Sequence, residues 1–139
     1  MEYGTIRISK CSFAGKEDHD MWNGKKKAIT FSYDDGVTQD IRMIEILNRY
    51  GMKGTFNLNS ELLGKEGSLV RNEVEIRHDK INPADVSRIY SGHEVAAHTL
   101  THPFLPRCED DEVVRQVETD RLRLRGGGNG VSLRRRQSR

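Results

Sequence analysis

Two short clusters in this chain combine the residue types that activate water. Asp34-Asp35-Gly36 sets two carboxylates against a glycine, and His98-x-x-x-His102 repeats an imidazole after three residues. Two neutral imidazoles and one carboxylate make an open site for a divalent cation, zinc first, with ring nitrogens at ~2.0–2.1 Å and a fourth position left for water. A second carboxylate beside that water completes a hydrolase, because the metal lowers the water's pKa and a base takes its proton. On an extended backbone Asp34 and Asp35 point in opposite directions, which argues for one ligand and one base rather than twin ligands. Pro103 disfavours helix at His102, so a loop presents the two imidazoles. Taken singly, the clusters carry little weight. Asp-Asp-Gly is most often only a turn, and His-x-x-x-His alone is a coincidence about as often as a ligand pair. Their weight comes from position: both fall at the C-terminal ends of expected parallel strands, where open α/β sheets and barrels place their sites.

The elements that must position them can be read from the surrounding pattern. Ala28-Ile29-Thr30-Phe31-Ser32-Tyr33 is a β-prone run ended by the Asp-Asp-Gly turn, and Gly36 lets the chain turn sharply there. Thr38 is the expected N-cap of a helix in which Ile41, Ile44 and Leu47 recur at helical spacing, and Gly51 is its left-handed C-cap. Lys53 to Leu58 is the next strand, so strand, helix and strand form the βαβ unit of a parallel sheet. Between residues 59 and 81 the rhythm breaks. Leu69-Val70-Arg71 and Val74-Glu75-Ile76-Arg77, separated by Asn72-Glu73, predict an inserted hairpin. Asn82-Pro83-Ala84-Asp85 starts a short helix ending at Gly92, and His93 to Ala97 is a third strand running into the two histidines. Acidic residues 109–112 open a last helix whose expected inner face holds Val113, Val117 and Leu124. Thr5 to Ser9 alternates weakly and reads as an N-terminal strand.

The chain has 139 residues, enough for one domain. Its net charge of +2 hides an asymmetry: residues 121–139 hold seven Arg and no acid, leaving residues 1–120 with 16 basic and 21 acidic residues. The main body is therefore acidic, which points away from a nucleic-acid partner. Two cysteines, Cys11 and Cys108, are too few for a disulfide scaffold and read as ordinary thiols. No apolar run approaches the ~20 residues of a membrane span, and the first residues lack a signal peptide's apolar stretch, so the expectation is a soluble, cytoplasmic chain without a membrane partner. His19, His78 and His93 lack partner spacing and read as surface or strand-end residues; Lys25 to Lys27 read as a solvated strand entry.

The motifs carry a resemblance. Ile29-Thr30-Phe31-Ser32-Tyr33-Asp34-Asp35-Gly36 resembles the first motif of the polysaccharide deacetylase family (the NodB homology domain), Thr-Phe-Asp-Asp-Gly, with Ser32 and Tyr33 in place of Thr-Phe. The run from Gly92 to Pro103 is similar to the second motif, His-Ser/Thr-x-x-His, including the Gly-His-Glu lead-in and the trailing proline, and Gly51 to Phe56 resembles the family's second strand. The similarity runs from about Lys27 to Leu124. It implies an α/β fold, a partial (β/α) barrel of the polysaccharide deacetylase type with about three βα units. It further implies Asp34 as general base, Asp35, His98 and His102 as ligands of a divalent metal, and Thr99 as the residue holding the second-motif loop. The implied activity is hydrolytic removal of N- or O-acetyl groups from an acetylated carbohydrate of chitin-like, peptidoglycan or xylan type.

The chain also departs from the family pattern. Later family motifs supply an Arg that tunes the base, an apolar substrate wall and a proton-donating His; no His follows His102 here, and the Arg-Gly tail matches none of them. A complete barrel of this kind takes ~250 residues. The expected organisation is an incomplete deacetylase domain over residues 1–124 and a disordered basic Gly/Arg tail over 125–139. The alternative is a truncated, catalytically inactive metal-binding remnant, and a third reading treats the tail as an RNA-binding element on an unrelated α/β domain.

Overall fold

The computed structural model describes residues 5–8 and 27–126. In chain order the elements are β1 (Thr5–Ile8), β2 (Ile29–Asp34), α1 (Asp40–Arg49), β3 (Thr55–Leu58), β4 (Ser68–Arg71), β5 (Val74–Arg77), α2 (Val86–Ile89), β6 (Glu94–Ala97) and α3 (Asp110–Gly126). One sheet has the order β1-β2-β3-β6, with β1 antiparallel to β2 and the other pairings parallel. Three strands thus run the same way and bring their C-terminal ends, residues 34, 58 and 97, to one edge of the sheet. The fold is mixed α/β.

Alternation along the strands divides the sheet into two faces. Phe56 and Leu58 are fully buried, and Phe31, Tyr33 and Val95 pack against the same core. Tyr33 stacks on Phe56 across the pair, with ring centroids 5.4 Å apart. Ile44 and Leu47 of α1 close this side, together with Ile81, Val86 and Tyr90. The other face is polar: Asn57 donates from Nδ2 to Ser32 Oγ at 2.9 Å and to Asp34 Oδ1 at 2.7 Å. Asp34 therefore sits on the face away from the core.

Helix α1 begins later than the Thr38 cap predicts. Gln39 occupies the cap position in helical conformation, and its amide reaches across to the Arg77 carbonyl at 2.6 Å. Its inner line is Asp40, Ile44 and Leu47, while Ile41 is exposed. At the other end Gly51, at φ +64°, closes a Schellman motif: its own N–H reaches Asn48 O, and Met52 N–H reaches Leu47 O at 2.8 Å. The inserted hairpin forms as the sequence predicts, with Asn72 and Glu73 both at positive φ, as a two-residue turn of this hand requires.

Asn82 caps the short turn Pro83–Asp85 by accepting from Ala84 N–H at 2.9 Å, and α2 follows. In α3 the inner face differs from the expected one. Val117 is exposed, and the buried residues are Gln116, Asp120 and Leu124. A polar pair thus occupies the stripe that hydrophobic spacing assigns to valines. The helix continues to Gly126, and residues 127–139 of the expected tail lie outside the described residues, as do His19, Cys11 and the lysines at 25 and 26. No described helix is long and apolar enough to cross a membrane.

Candidate metal centre

The turn after β2 separates the two carboxylates. Asp34 is the last strand residue and lies on the polar face, held by Asn57. Asp35 follows at φ +78° and Gly36 at φ +63°, so the chain reverses within two left-handed residues. A Cβ on Gly36 would stand 2.7 Å from Leu58 Cδ2, which leaves glycine the only residue that fits both the conformation and the space. The two carboxylates meet different partners, Asn57 for Asp34 and His78, Lys80 and the two imidazoles for Asp35. Asp35 is left-handed rather than extended as the sequence reading assumes.

The loop after β6 brings the imidazoles to Asp35. Asp35 Oδ1 lies 3.6 Å from His102 Nε2 and 3.9 Å from His98 Nε2. Ligand atoms of Asp35, His98 and His102 all fall within 4.8 Å of one another. For comparison, a tetrahedron with bonds of ~2.0–2.1 Å has edges of ~3.3 Å, only a few tenths shorter than the two measured separations. His98 Nε2 is buried without a hydrogen-bond partner, an arrangement that costs free energy in a neutral site and that a cation would relieve. Two ring nitrogens, one of them orphaned, and one carboxylate oxygen fit a divalent cation.

The loop is held from outside itself. Thr99 and His102 both take positive φ, at +70° and +57°. Asn59 Nδ2 donates to the carbonyls of His98 and Thr99, and the buried Asp120 carboxylate accepts from His98 N–H at 2.9 Å and Ser60 N–H at 2.7 Å. Burial pushes the Asp120 carboxyl up from its ordinary range, and these N–H donors pull it back. Gln116 accepts from Thr101 N–H at 2.9 Å and donates to Thr101 Oγ1 at 2.8 Å. Asn59, Gln116 and Asp120 hold the second-motif loop, work that the resemblance assigns to Thr99.

Two further residues meet the cluster. His78 Nε2 lies 3.2 Å and Lys80 Nζ 3.8 Å from Asp35 Oδ2. His78, which follows the end of β5 as a strand-end residue, thus has a partner that its spacing did not reveal. Beneath them Tyr90 donates to Asp40 Oδ2 at 2.7 Å. Burial raises the Asp40 carboxyl to about 7, with Tyr90 and Lys80 opposing the rise, and burial lowers the Lys80 ammonium. His93 is a latch between elements: its Nδ1 accepts from Gly54 N–H at 3.2 Å and its Nε2 faces Asn48 Oδ1 at 3.1 Å. Cys108 is a half-buried free thiol whose Sγ donates to the Phe104 carbonyl. A signal for the missed residues existed in one place: Gln116, Asp120 and Leu124 stand four apart on α3, a spacing that shares one helix face.

Fold and cluster together define an α/β protein with a two-histidine, one-aspartate site at the mouth of parallel strands. The chain belongs to the polysaccharide deacetylase family, whose profile matches residues 22–131. It is 29% identical over 113 residues to a chitooligosaccharide deacetylase of Rhizobium leguminosarum bv. phaseoli, covering 77% of this chain and 42% of that protein. It is 30% identical over 97 residues to a chitooligosaccharide deacetylase of Bradyrhizobium sp. (strain ANU 289), covering 67% of this chain and 36% of that protein. The chain therefore spans about two fifths of the length of these curated relatives. No solved structure matches it.

Proposed function

We propose that this chain is the metal-binding and proton-accepting part of a carbohydrate deacetylase acting on acetylated chitooligosaccharide or a related acetylated polymer. The observation that carries the reading is the convergence of Asp35, His98 and His102, from motifs more than sixty residues apart, onto one point. In this reading those three residues hold a divalent cation, zinc first, and Asp34 is the base. When bound, the cation supplies Lewis acidity toward the acetyl carbonyl and lowers the pKa of water. Asp34 takes a proton from the attacking water, and its Oδ1 is held by Asn57. The polar face around Ser32, Asp34 and Asn57 supports a site open to a hydroxyl-rich ligand rather than an apolar one. Parallel strands and their following helices support placing this sheet in a partial (β/α) barrel with about three βα units.

The test is acetate release from acetylated chitooligosaccharide, with acetylated xylan in parallel to separate N- from O-acetyl preference. Zinc-loaded chain is compared with chelated chain and with Asp34→Asn. Release that needs metal and falls by ~10²-fold or more in the Asn variant supports the reading. Stoichiometric zinc uptake without release on either substrate favours the alternative, a catalytically inactive metal-binding remnant. Absence of zinc uptake by the folded chain overturns the metal assignment.

A further inference from the structure

The inserted segment between β3 and α2 ends beside the turn that carries Asp35. Thr38 N–H donates to Asp79 O and Ile81 N–H to Gly36 O, each at 2.9 Å, and Val37 bridges antiparallel to Lys80. The segment is also pinned on its other side, by His78 N–H to Gly67 O at 2.7 Å and Lys80 N–H to Lys65 O at 2.9 Å. Alternate residues of an extended segment point the same way. His78 and Lys80 accordingly meet Asp35, while Asp79 turns away to accept from Gly67 N–H and pair with Arg77.

We propose that His78 and Lys80 are positioning residues for Asp35: by holding its Oδ2 they turn its Oδ1 toward His98 and His102. The inference rests on the reading of Asp35, His98 and His102 as a cation site. The two carboxylate oxygens divide cleanly, Oδ2 to the pair from the insertion and Oδ1 to the pair from the β6 loop. A carboxylate oxygen only accepts, so the His78 proton in this contact is on Nε2. Both supporting side chains are mostly shielded, Lys80 at 10% and His78 at 23% exposure, so the contacts are not free surface pairs screened by water. Asp35 also stands at φ +78°, and a partner that fixes its side chain from outside the turn limits where the oxygens go. The hairpin insertion thereby has a role at the site. Its base, residues 78 to 81, forms one wall of the metal centre.

Lys80 distinguishes orientation from charge. If its only effect were electrostatic, removing an ammonium near a ligand oxygen would tighten cation binding. If it orients Asp35, removal weakens binding. Contacts of this outer kind are typically worth ~10–100-fold in metal affinity. The experiment measures zinc affinity by competition calorimetry on the full chain, with thermal melting of the metal-free forms alongside. His78→Leu keeps bulk and removes the donor; His78→Gln restores an N–H donor; Lys80→Met and Lys80→Arg form the matching pair. The expected result is a ~10–100-fold loss in His78→Leu and Lys80→Met, with most of it recovered in the Gln and Arg variants. Leu and Met variants that bind as tightly as the parent, or tighter, overturn the positioning role while leaving the site reading intact. Should the Leu or Met variants fail to fold, weak binding by folded Gln and Arg variants overturns it as well, and retained binding supports it. A folded parent chain that takes up no zinc overturns the site reading and this inference together.

Discussion

The two loops that build the centre are stabilised in contrasting ways. The Asp34–Gly36 turn is a tight reversal fixed by a glycine at φ +63° against Leu58, with α1 starting four residues later at Asp40. It is braced by backbone hydrogen bonds to residues 79 and 81 and by His78 and Lys80 at Asp35. The His98–His102 loop has two non-glycine residues at positive φ and is held by side chains from elsewhere, Asn59, Gln116 and Asp120. The first rests mainly on backbone geometry and backbone pairing, the second on buried side-chain hydrogen bonds. Networks of this kind specify one conformation when every member is satisfied and fail sharply when one is removed. The comparison teaches that one cluster of candidate ligands can be held by steric necessity and backbone pairing on one side and by buried side-chain hydrogen bonds on the other.

Substitutions separate the two mechanisms. The largest expected effect is at Gly36. Gly36→Ala meets both the left-handed conformation and the Leu58 side chain, so a loss of about 2–5 kcal/mol in urea unfolding is expected. A loss below about 1 kcal/mol would mean that the turn relaxes freely and is not a steric solution. Next comes Asp120→Ala, which strips acceptors from the buried Ser60 and His98 N–H groups. It should cost about 2–4 kcal/mol and weaken zinc uptake, while the Asp34 turn keeps its hydrogen-exchange protection. Equal loss of protection in both loops would show that they are one cooperative unit.

A third prediction concerns pH. The Asp40 carboxyl, under the Asp35 turn, is raised to about 7 from an ordinary value of 3.8, with burial the largest cause. Its folded pKa lies above its unfolded pKa, so the favourable contribution is complete below about 4 and is lost as pH rises through about 7. Asp40→Asn should therefore raise the melting temperature increasingly from pH 5 to pH 8, read by calorimetry of the metal-free chain. A gain that is flat across this range would remove Asp40 as the source. The smallest expected effect is Val70→Thr at the exposed hairpin tip, within about 0.5 kcal/mol of the parent and with unchanged zinc affinity. A larger effect would extend the support of the Asp35 turn from residues 78–81 out into the hairpin.

Much of this was legible in the residues themselves. β2, β3 and β6 announced themselves as short β-prone runs, Gly51 as a left-handed cap, and Asn72-Glu73 as a turn between two strand patterns. The Asp34-Asp35 pair with His98 and His102 was legible as a ligand-and-base set because residue type and position after strands are properties of the chain in one dimension. The family resemblance singled out Asp35 as the ligand. Helix faces were less legible. Val113, Val117 and Leu124 looked like the inner stripe of α3; Leu124 is buried there, but Val117 is exposed and Gln116 and Asp120 are buried beside Leu124 instead. Hydrophobic spacing assumes an apolar neighbour, and α3 instead covers loop backbone whose N–H groups need acceptors.

What the sequence alone determined is therefore local: which segments extend, where the chain must turn, and which side chains carry ligand atoms. Tertiary structure decided the rest. His78 and Lys80 lie 43 and 45 positions after Asp35, and Asp120 lies 22 after His98; no periodicity connects them. Their meeting depends on the antiparallel pairing of residues 36–38 with 79–81 and on α3 packing beside β6. Hydrogen-bond satisfaction in a buried volume is a condition on groups close in space, and only the folded chain fixes which groups those are.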